Sequence, residues 1–466
     1  MAQIHRSQHS SGGGGQSSGS HRGHKKLTPP APVDNSGPIQ TEGPQFSEST
    51  PTPGEQRYTV KHGSDTQAYT ILDSEKGKIR PLPFPVLKGV AEPVLKLGAA
   101  YGSKGASIEA SIQSAGQIVF HALGDTGNTT GPKDEGLVAD KMVSDFDDTH
   151  GPSIPSFMYH LGDVVYSFGE EQYYYDQFYD AYRNYPAPIF AIPGNHDGMP
   201  SPLDPKAVSL DAFIANFCTA GEPPHKTPEA GGLPRTAQIQ PSVYFTLEAP
   251  FVRILGLYSN CLEDPGVISS QGGKYNELPD VQIDYLKAAL QRVKDDHFAG
   301  AVLIAVHHPP YAAQLNADED AASAGKHGAS LAMLAEIDKC CQSTGVWPHA
   351  VISGHAHNMQ RFTRVKDGRE TPFIICGNGG HHHNPLTKKG QPAIRTPVSQ
   401  TALTQGDQVT FENYDDQEFG YLRIIVNDQQ IRIEYHPASD GAEAKTPDDF
   451  VTVDLATYKL VHYVAQ

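Results

Sequence analysis

Five cysteines in 466 residues, none arranged as C-x-x-C, exclude both a zinc knuckle and a disulfide framework. An odd set of thiols fits reduced, partly buried side chains. Basic residues are in deficit: 36 Lys and Arg stand against 53 Asp and Glu, a formal charge of −17. Affinity for a polyanion comes from cationic side chains on phosphates, so no nucleic-acid partner is expected. Long apolar runs are absent too. Stretches such as Ala301 to Val306 fall far short of the ~20 residues a bilayer span needs, so no membrane contact is expected. The opening Met1-Ala2-Gln3-Ile4-His5-Arg6 has no apolar core followed by a small-residue cleavage site, which makes the cytoplasm the expected location. No collagen or coiled-coil period is present, and glycine (45) with proline (37) announces many loops.

What is present divides into segments. Residues 1 to 56 are Ser, Gly, Pro, His and Gln with almost no branched or aromatic side chains, and are expected to be a disordered, solvated tail. Residues 57 to 116 mix short alternating stretches (Tyr58-Thr59-Val60, Tyr69 to Leu72) with Pro81, Pro83 and Pro85, and read as an N-terminal lead-in of hairpins or irregular chain. A main domain follows over 117 to 437. There, apolar runs of strand length recur: Ile118 to Leu123, Phe157 to Leu161, Ile189 to Ile192, Ala301 to Val306 and Ala350 to Ser353. Unbroken apolar runs indicate strands buried on both faces. Helical patterns at Glu171 to Tyr182, Leu278 to Lys294 and Ala329 to Cys341 lie between them, which predicts a layered α/β architecture. Alternation over Gly420 to Tyr435, interrupted by Asn427-Asp428, predicts a hairpin, and 438 to 466 is expected to be an extension packed on the domain.

In such sheets ligands gather beyond the carboxyl ends of strands. Five ends carry candidate metal ligands: Gly124-Asp125-Thr126-Gly127, Gly162-Asp163-Val164-Val165-Tyr166, Gly194-Asn195-His196-Asp197, His307-His308-Pro309-Pro310-Tyr311 and Gly354-His355-Ala356-His357. Carboxylates, imidazoles and an amide oxygen suit iron, manganese or zinc better than a soft thiolate site would.

In order and content these motifs resemble the calcineurin-like metallophosphoesterases over about residues 117 to 435. That resemblance implies a four-layer α/β/β/α sandwich with two mixed sheets. Two departures point further. The first motif has Gly127 where the superfamily has a His, and the second ends in Tyr166 rather than Asp, as in purple acid phosphatases (GDxG, GDxxY, GNH(E/D), VxxH, GHxH). GNHD, His327-Gly328 and Gly354-His355-Ala356-His357-Asn358-Met359-Gln360 are similar to the small, tartrate-resistant mammalian type, while Ile304 replaces the usual Val of the fourth motif.

The resemblance implies two metal ions: Fe(III) held by Asp125, Asp163, Tyr166 and His357, and Fe(II), Zn or Mn held by Asn195, His307 and His355, with Asp163 bridging. It further implies a phosphomonoesterase, a metal-activated hydroxide attacking phosphorus of a small phosphorylated substrate. His196 would bind the phosphoryl oxygens or protonate the leaving group, with His327 the alternative donor or else a surface residue. His308 points to the pocket rim or into packing. His382, in the run His381-His382-His383, lines the substrate mouth or sits on an exposed loop. Tyr173, Tyr174, Tyr175, Phe178, Tyr179 and Tyr182 have the helical spacing of core residues. The alternatives are a Mn/Zn phosphodiesterase of the same superfamily and, remotely, a non-catalytic scaffold on its fold.

Overall fold

Buried apolar runs become strands where the sequence places them. The computed structural model describes residues 91–128, 131–147, 153–201, 206–218, 225–226, 230, 236–237, 239–259, 265–313, 328–387, 390–399, 407–439 and 446–462. The expected tail, most of the lead-in and His327 lie outside these. Among the described residues the principal strands are β1 (Val94–Lys96), β2 (Gln117–Leu123), β3 (Met158–His160), β4 (Ile189–Ala191), β5 (Phe245–Ala249), β6 (Val252–Leu257), β7 (Ala301–Val306), β8 (Ala350–Ser353), β9 (Met359–Lys366), β10 (Arg369–Cys376), β11 (Gln408–Asp415), β12 (Gly420–Asn427), β13 (Gln430–Pro437) and β14 (Asp449–Asp454). The longer helices are α1 (Gly105–Ala115), α2 (Lys133–Asp147), α3 (Val281–Asp295) and α4 (Leu331–Thr344).

Two mixed sheets form. The larger runs β1-β5-β6-β7-β8-β10-β9-β11 and ends on the short strand Val398–Ser399; the smaller runs from Lys459–Leu460 through β14-β13-β12-β2-β3-β4. β6, β7, β8 and β10 are parallel neighbours in one sheet, and β2, β3 and β4 in the other. Every residue of β6, β7 and β8 is buried, the condition under which a strand reads as a continuous apolar run. The sheets meet face to face where Gly256 of β6 lies against Tyr159 of β3 and Ile192, the residue after β4. Outside the larger sheet, α3 buries Tyr285, Leu286, Ala289 and Leu290, and Arg364 of β9 reaches Asp338 of α4 at 2.8 Å. The result is a mixed α/β sandwich built on two mixed sheets.

Three elements differ from expectation. The lead-in, read as hairpins or irregular, holds helix α1, whose Ile108 and Ile112 are one turn apart, and β1, which pairs in parallel with β5. The extension after 437 is part of the fold: β14 continues the smaller sheet beside β13. The helix expected over Glu171 to Tyr182 is a 3-10 turn followed by a π-turn at Tyr175–Tyr179. Tyr174, Tyr175, Phe178, Tyr179 and Tyr182 are all buried there, a packing role for the aromatic run.

Candidate metal centre

The carboxyl ends of β2, β3, β4, β7 and β8 converge on one edge, and the five polar motifs follow directly from them. Asp125 (φ 57°), Asp163 (φ 55°) and His355 (φ 70°) adopt left-handed backbone conformations. Such conformations cost of order 1–3 kcal/mol each and persist only where the surroundings over-determine them. Here the surroundings are crossed hydrogen bonds between the turns: Asp125 N–H to Gly162 O at 2.9 Å, His355 N–H to Asp125 Oδ2 at 2.7 Å and His196 N–H to Asp163 Oδ1 at 2.9 Å. Each carboxylate is thereby anchored by one oxygen and offers the other.

Two poles result. At the first, the Tyr166 hydroxyl lies 3.1 Å from Asp125 Oδ1, 3.0 Å from Asp163 Oδ2 and 3.2 Å from His357 Nε2. At the second, Asn195 Oδ1 lies 3.1 Å from His307 Nε2 and 3.1 Å from His355 Nδ1. Asp163 Oδ2 belongs to both, being 3.3 Å from His307 Nε2. His307 donates from Nδ1 to the Leu161 carbonyl at 2.8 Å, which turns Nε2 toward the cluster.

This donor set fits a pair of metal ions. Ligand atoms bonded to an ion at about 2.0–2.2 Å sit roughly 2.8–3.6 Å from one another, and every edge above falls in that range. Asp163, His307 and His355 place three ligand atoms within 4.8 Å of one another. Electrostatics agree. Burial raises the Asp125 carboxyl well above its usual range; the positive His307 opposes this and the Asp163 charge reinforces it. Burial also raises Asp163, but His307 and then His196 outweigh it and leave the carboxyl low. The Tyr166 phenol is held well above its usual value by burial and then by Asp125 and Asp163. Burial lowers His307, yet the Asp163 charge brings it up to about 9. One phenol proton cannot serve two carboxylates and an imidazole, and buried charges of this kind are stable when paired or when they coordinate cations.

The Gly127 and Tyr166 exchange has a steric basis. A Cβ on Gly127 would come within 2.5 Å of Gln177 Oε1, 2.6 Å of Val164 O and 3.2 Å of Tyr166 Cδ2. Gln177 in turn brackets Tyr166, accepting from its N–H and donating to its carbonyl, both at 2.9 Å. A histidine at 127 would occupy space that this arrangement fills.

His196 borders the centre. Its Nδ1 donates to the Ser167 carbonyl at 2.8 Å and its ring centroid is 4.3 Å from that of Tyr166. His308 is buried, shares a 2.7 Å hydrogen bond with the Ser259 hydroxyl and packs 4.1 Å from the His355 ring, which places it in packing rather than at a rim. His382 is exposed, with Nε2 3.3 Å from His357 Nδ1. Asp197 had no assigned role in the sequence reading, and His381 was expected, with its two neighbours, at the substrate mouth or on an exposed loop. Asp197 accepts hydrogen bonds from Val164, Val165 and Gly194 N–H groups at 2.9–3.2 Å, tying the second motif to the third. His381 stacks flat on Tyr166, centroids 3.6 Å apart and planes 5° apart. Burial, then the neighbouring His382 and His196, lower its pKa well below the usual imidazole value.

A family model described as calcineurin-like phosphoesterase matches residues 120–359. No curated protein sequence matches the chain. Similar solved structures include a purple acid phosphatase, PPD1, from yellow lupin (Lupinus luteus) seeds (16% identity, 72% of this chain and 54% of that one, TM-score 0.45). GAP50, the anchor in the inner membrane complex of Plasmodium (14%, 70% and 86%, 0.43), and PhoD (13%, 75% and 72%, 0.43) are others. The chain spans about half the length of the lupin protein, and TM-scores this low bear no weight on activity. Among the described residues no helix is long and apolar enough to cross a membrane.

Proposed function

The chain belongs to the calcineurin-like phosphoesterase family, a metal-dependent phosphoric ester hydrolase, and on that premise we propose a phosphomonoesterase with a mixed-valence centre of the purple acid phosphatase kind. The observation that carries this reading is the Tyr166 hydroxyl, 3.0–3.2 Å from Asp125, Asp163 and His357. Asp125, Asp163, Tyr166 and His357 would hold Fe(III); Asp163, Asn195, His307 and His355 would hold Fe(II), Zn or Mn. Preference for monoesters rests on the motif resemblance. When bound, the ion pair supplies Lewis acidity toward the phosphoryl oxygens and acidifies water.

The chain's own residues do the rest. Asp163, fixed at Oδ1 by the His196 N–H, keeps Oδ2 between the poles and so sets their separation. Asn195 presents a neutral oxygen, which adds no negative charge to a site that must receive an anion. The Ser167 carbonyl engages His196 Nδ1, which leaves Nε2 as the nitrogen on the far edge of the ring; from there the imidazole would donate to a phosphoryl oxygen or to the departing alkoxide. The Ser167 carbonyl thus supplies the contact that orients the His196 ring. Small phosphorylated molecules are the proposed substrates. The test is hydrolysis of an aryl phosphate monoester and of the matching diester by protein of measured iron, zinc and manganese content, with visible spectra. Monoester turnover by coloured protein supports the reading; diester turnover by colourless, manganese-loaded protein overturns it.

A further inference from the structure

The loop after β10 runs Gly377-Asn378-Gly379-Gly380-His381-His382-His383. It is not a free mouth loop. A Cβ on Gly379 would overlap the Gly124 carbonyl oxygen, so the backbone lies directly on the turn that carries Asp125. His381 N–H donates to Asp125 O at 3.0 Å, and the Asn128 amide donates to Gly380 O at 2.7 Å. These bonds fix where the two imidazoles fall. His381 donates from Nδ1 to Gly127 O at 2.8 Å, and its ring lies flat on Tyr166. His382 Nε2 meets His357 Nδ1 at 3.3 Å, on the edge of the ring opposite the nitrogen that faces Tyr166.

We propose that His381 and His382 are positioning residues that clamp one pole of the centre, His381 by fixing the plane of the Tyr166 ring and His382 by accepting the Nδ1–H of His357. The inference rests on the reading of Asp125, Asp163, Tyr166 and His357 as ligands of one ion. The chemistry is direct. An imidazole that ligates through Nε2 must keep its proton on Nδ1, and a fixed acceptor for that proton orients the ring and makes Nε2 more basic. A carboxylate or carbonyl commonly serves; here an imidazole nitrogen is placed to do so, without adding negative charge. The Tyr166 oxygen ligates only if its ring is held at one angle. His196 touches that ring at 40° to its plane, whereas His381 covers it at 5°, so His381 is the surface against which it is aligned.

The test uses full-length protein loaded with ferric citrate and zinc chloride, then dialysed against increasing chelator, with iron and zinc counted separately. For His382→Ala and His381→Ala, iron should leave at roughly 10–100-fold lower chelator concentration than in the parent, the usual cost of removing such a partner, while the zinc midpoint stays put. His382→Gln, which keeps an acceptor, and His381→Phe, which keeps a flat ring, should recover most of the loss. The visible band should shift in His381→Ala and return in His381→Phe. A parent that holds the pair, with all four variants releasing iron at the parental midpoint, overturns the clamp alone. A parent that takes up no pair of ions overturns the reading of the centre, and the clamp with it.

Discussion

Loading the metal-free chain should expel protons, and their number separates a phenolate-bound trivalent ion from an all-divalent pair. Burial lowers His307 but the Asp163 charge carries it from the usual 6.5 to about 9, so near neutral pH His307 holds a proton that a metal must displace. Tyr166 also keeps its proton, because burial and two flanking carboxylates hold the phenol above its ordinary value. Zinc should therefore release the His307 proton and whatever Asp125 contributes. Gallium(III), a redox-inert stand-in for ferric iron, should release one more, from Tyr166. Tyr166→Phe removes that proton and keeps the ring packing, so the gallium count in excess of the zinc count should fall by one. The substitution also removes the hydroxyl that helps hold the Asp125 carboxyl down, so each protein's own zinc count is the baseline for its gallium count. Displacing a proton bound about two units above ambient pH costs roughly 3 kcal/mol, so zinc affinity should rise about tenfold per pH unit toward the folded pKa and flatten beyond it. The stability of the metal-free chain runs the other way. A pKa raised on folding stabilises fully below 6.5, and that contribution is lost as pH climbs through about 9. Calorimetric titration in two buffers of different ionisation enthalpy gives the counts. A gallium excess over zinc indifferent to Tyr166→Phe would refute the phenolate, and a zinc count that does not change between low and high pH would refute the His307 assignment.

Other perturbations act on single parts of the centre. Asn195→Ala removes a neutral oxygen donor from the second pole and should lower zinc content and cut turnover by orders of magnitude, read by metal analysis beside aryl phosphate hydrolysis. His196→Ala should retain both ions and lower kcat by about 10²–10⁴, more for alkyl than for aryl leaving groups, since general acid catalysis matters most for the poorer ones. Gly127→Ala forces a methyl against Gln177 Oε1 and Val164 O and should cost about 1–3 kcal/mol, seen as a lowered melting temperature.

The sequence announced most of the frame because parallel strands buried on both faces leave no polar position to break the run; β7 and β8 are bounded as expected, at Ala301–Val306 and Ala350–Ser353. Helices α3 and α4 were legible within a few residues for the opposite reason, since each keeps one polar face. Helix α1 was not. Apart from Glu109 and Gln113 its turns are Gly, Ala and Ser with only Ile108 and Ile112 to mark an apolar face, and it follows a proline-rich stretch that suggested irregular chain. The π-turn at Tyr175–Tyr179 was hidden by aromatic side chains buried all round, which blurs any period. The candidate ligands were legible because each follows a strand in a recognisable motif. His381 and Asp197 were not, because their roles exist only across loops distant in sequence; the run of three His after two glycines was the one local sign.

Gly127, Tyr166, Gln177 and His381 act as a set. The Gln177 amide brackets the Tyr166 backbone and fills the space a side chain at 127 would need. The Gly127 carbonyl accepts from His381 Nδ1, and His381 lies flat on the Tyr166 ring. A glycine at 127 and a phenol at 166 then belong to one arrangement with four participants. A chain carrying only half of it would either crowd Tyr166 or leave its ring unsupported. This coupling gives a physical reason, independent of any likeness to other proteins, for reading Gly127 and Tyr166 together when the metal preference of the site is inferred.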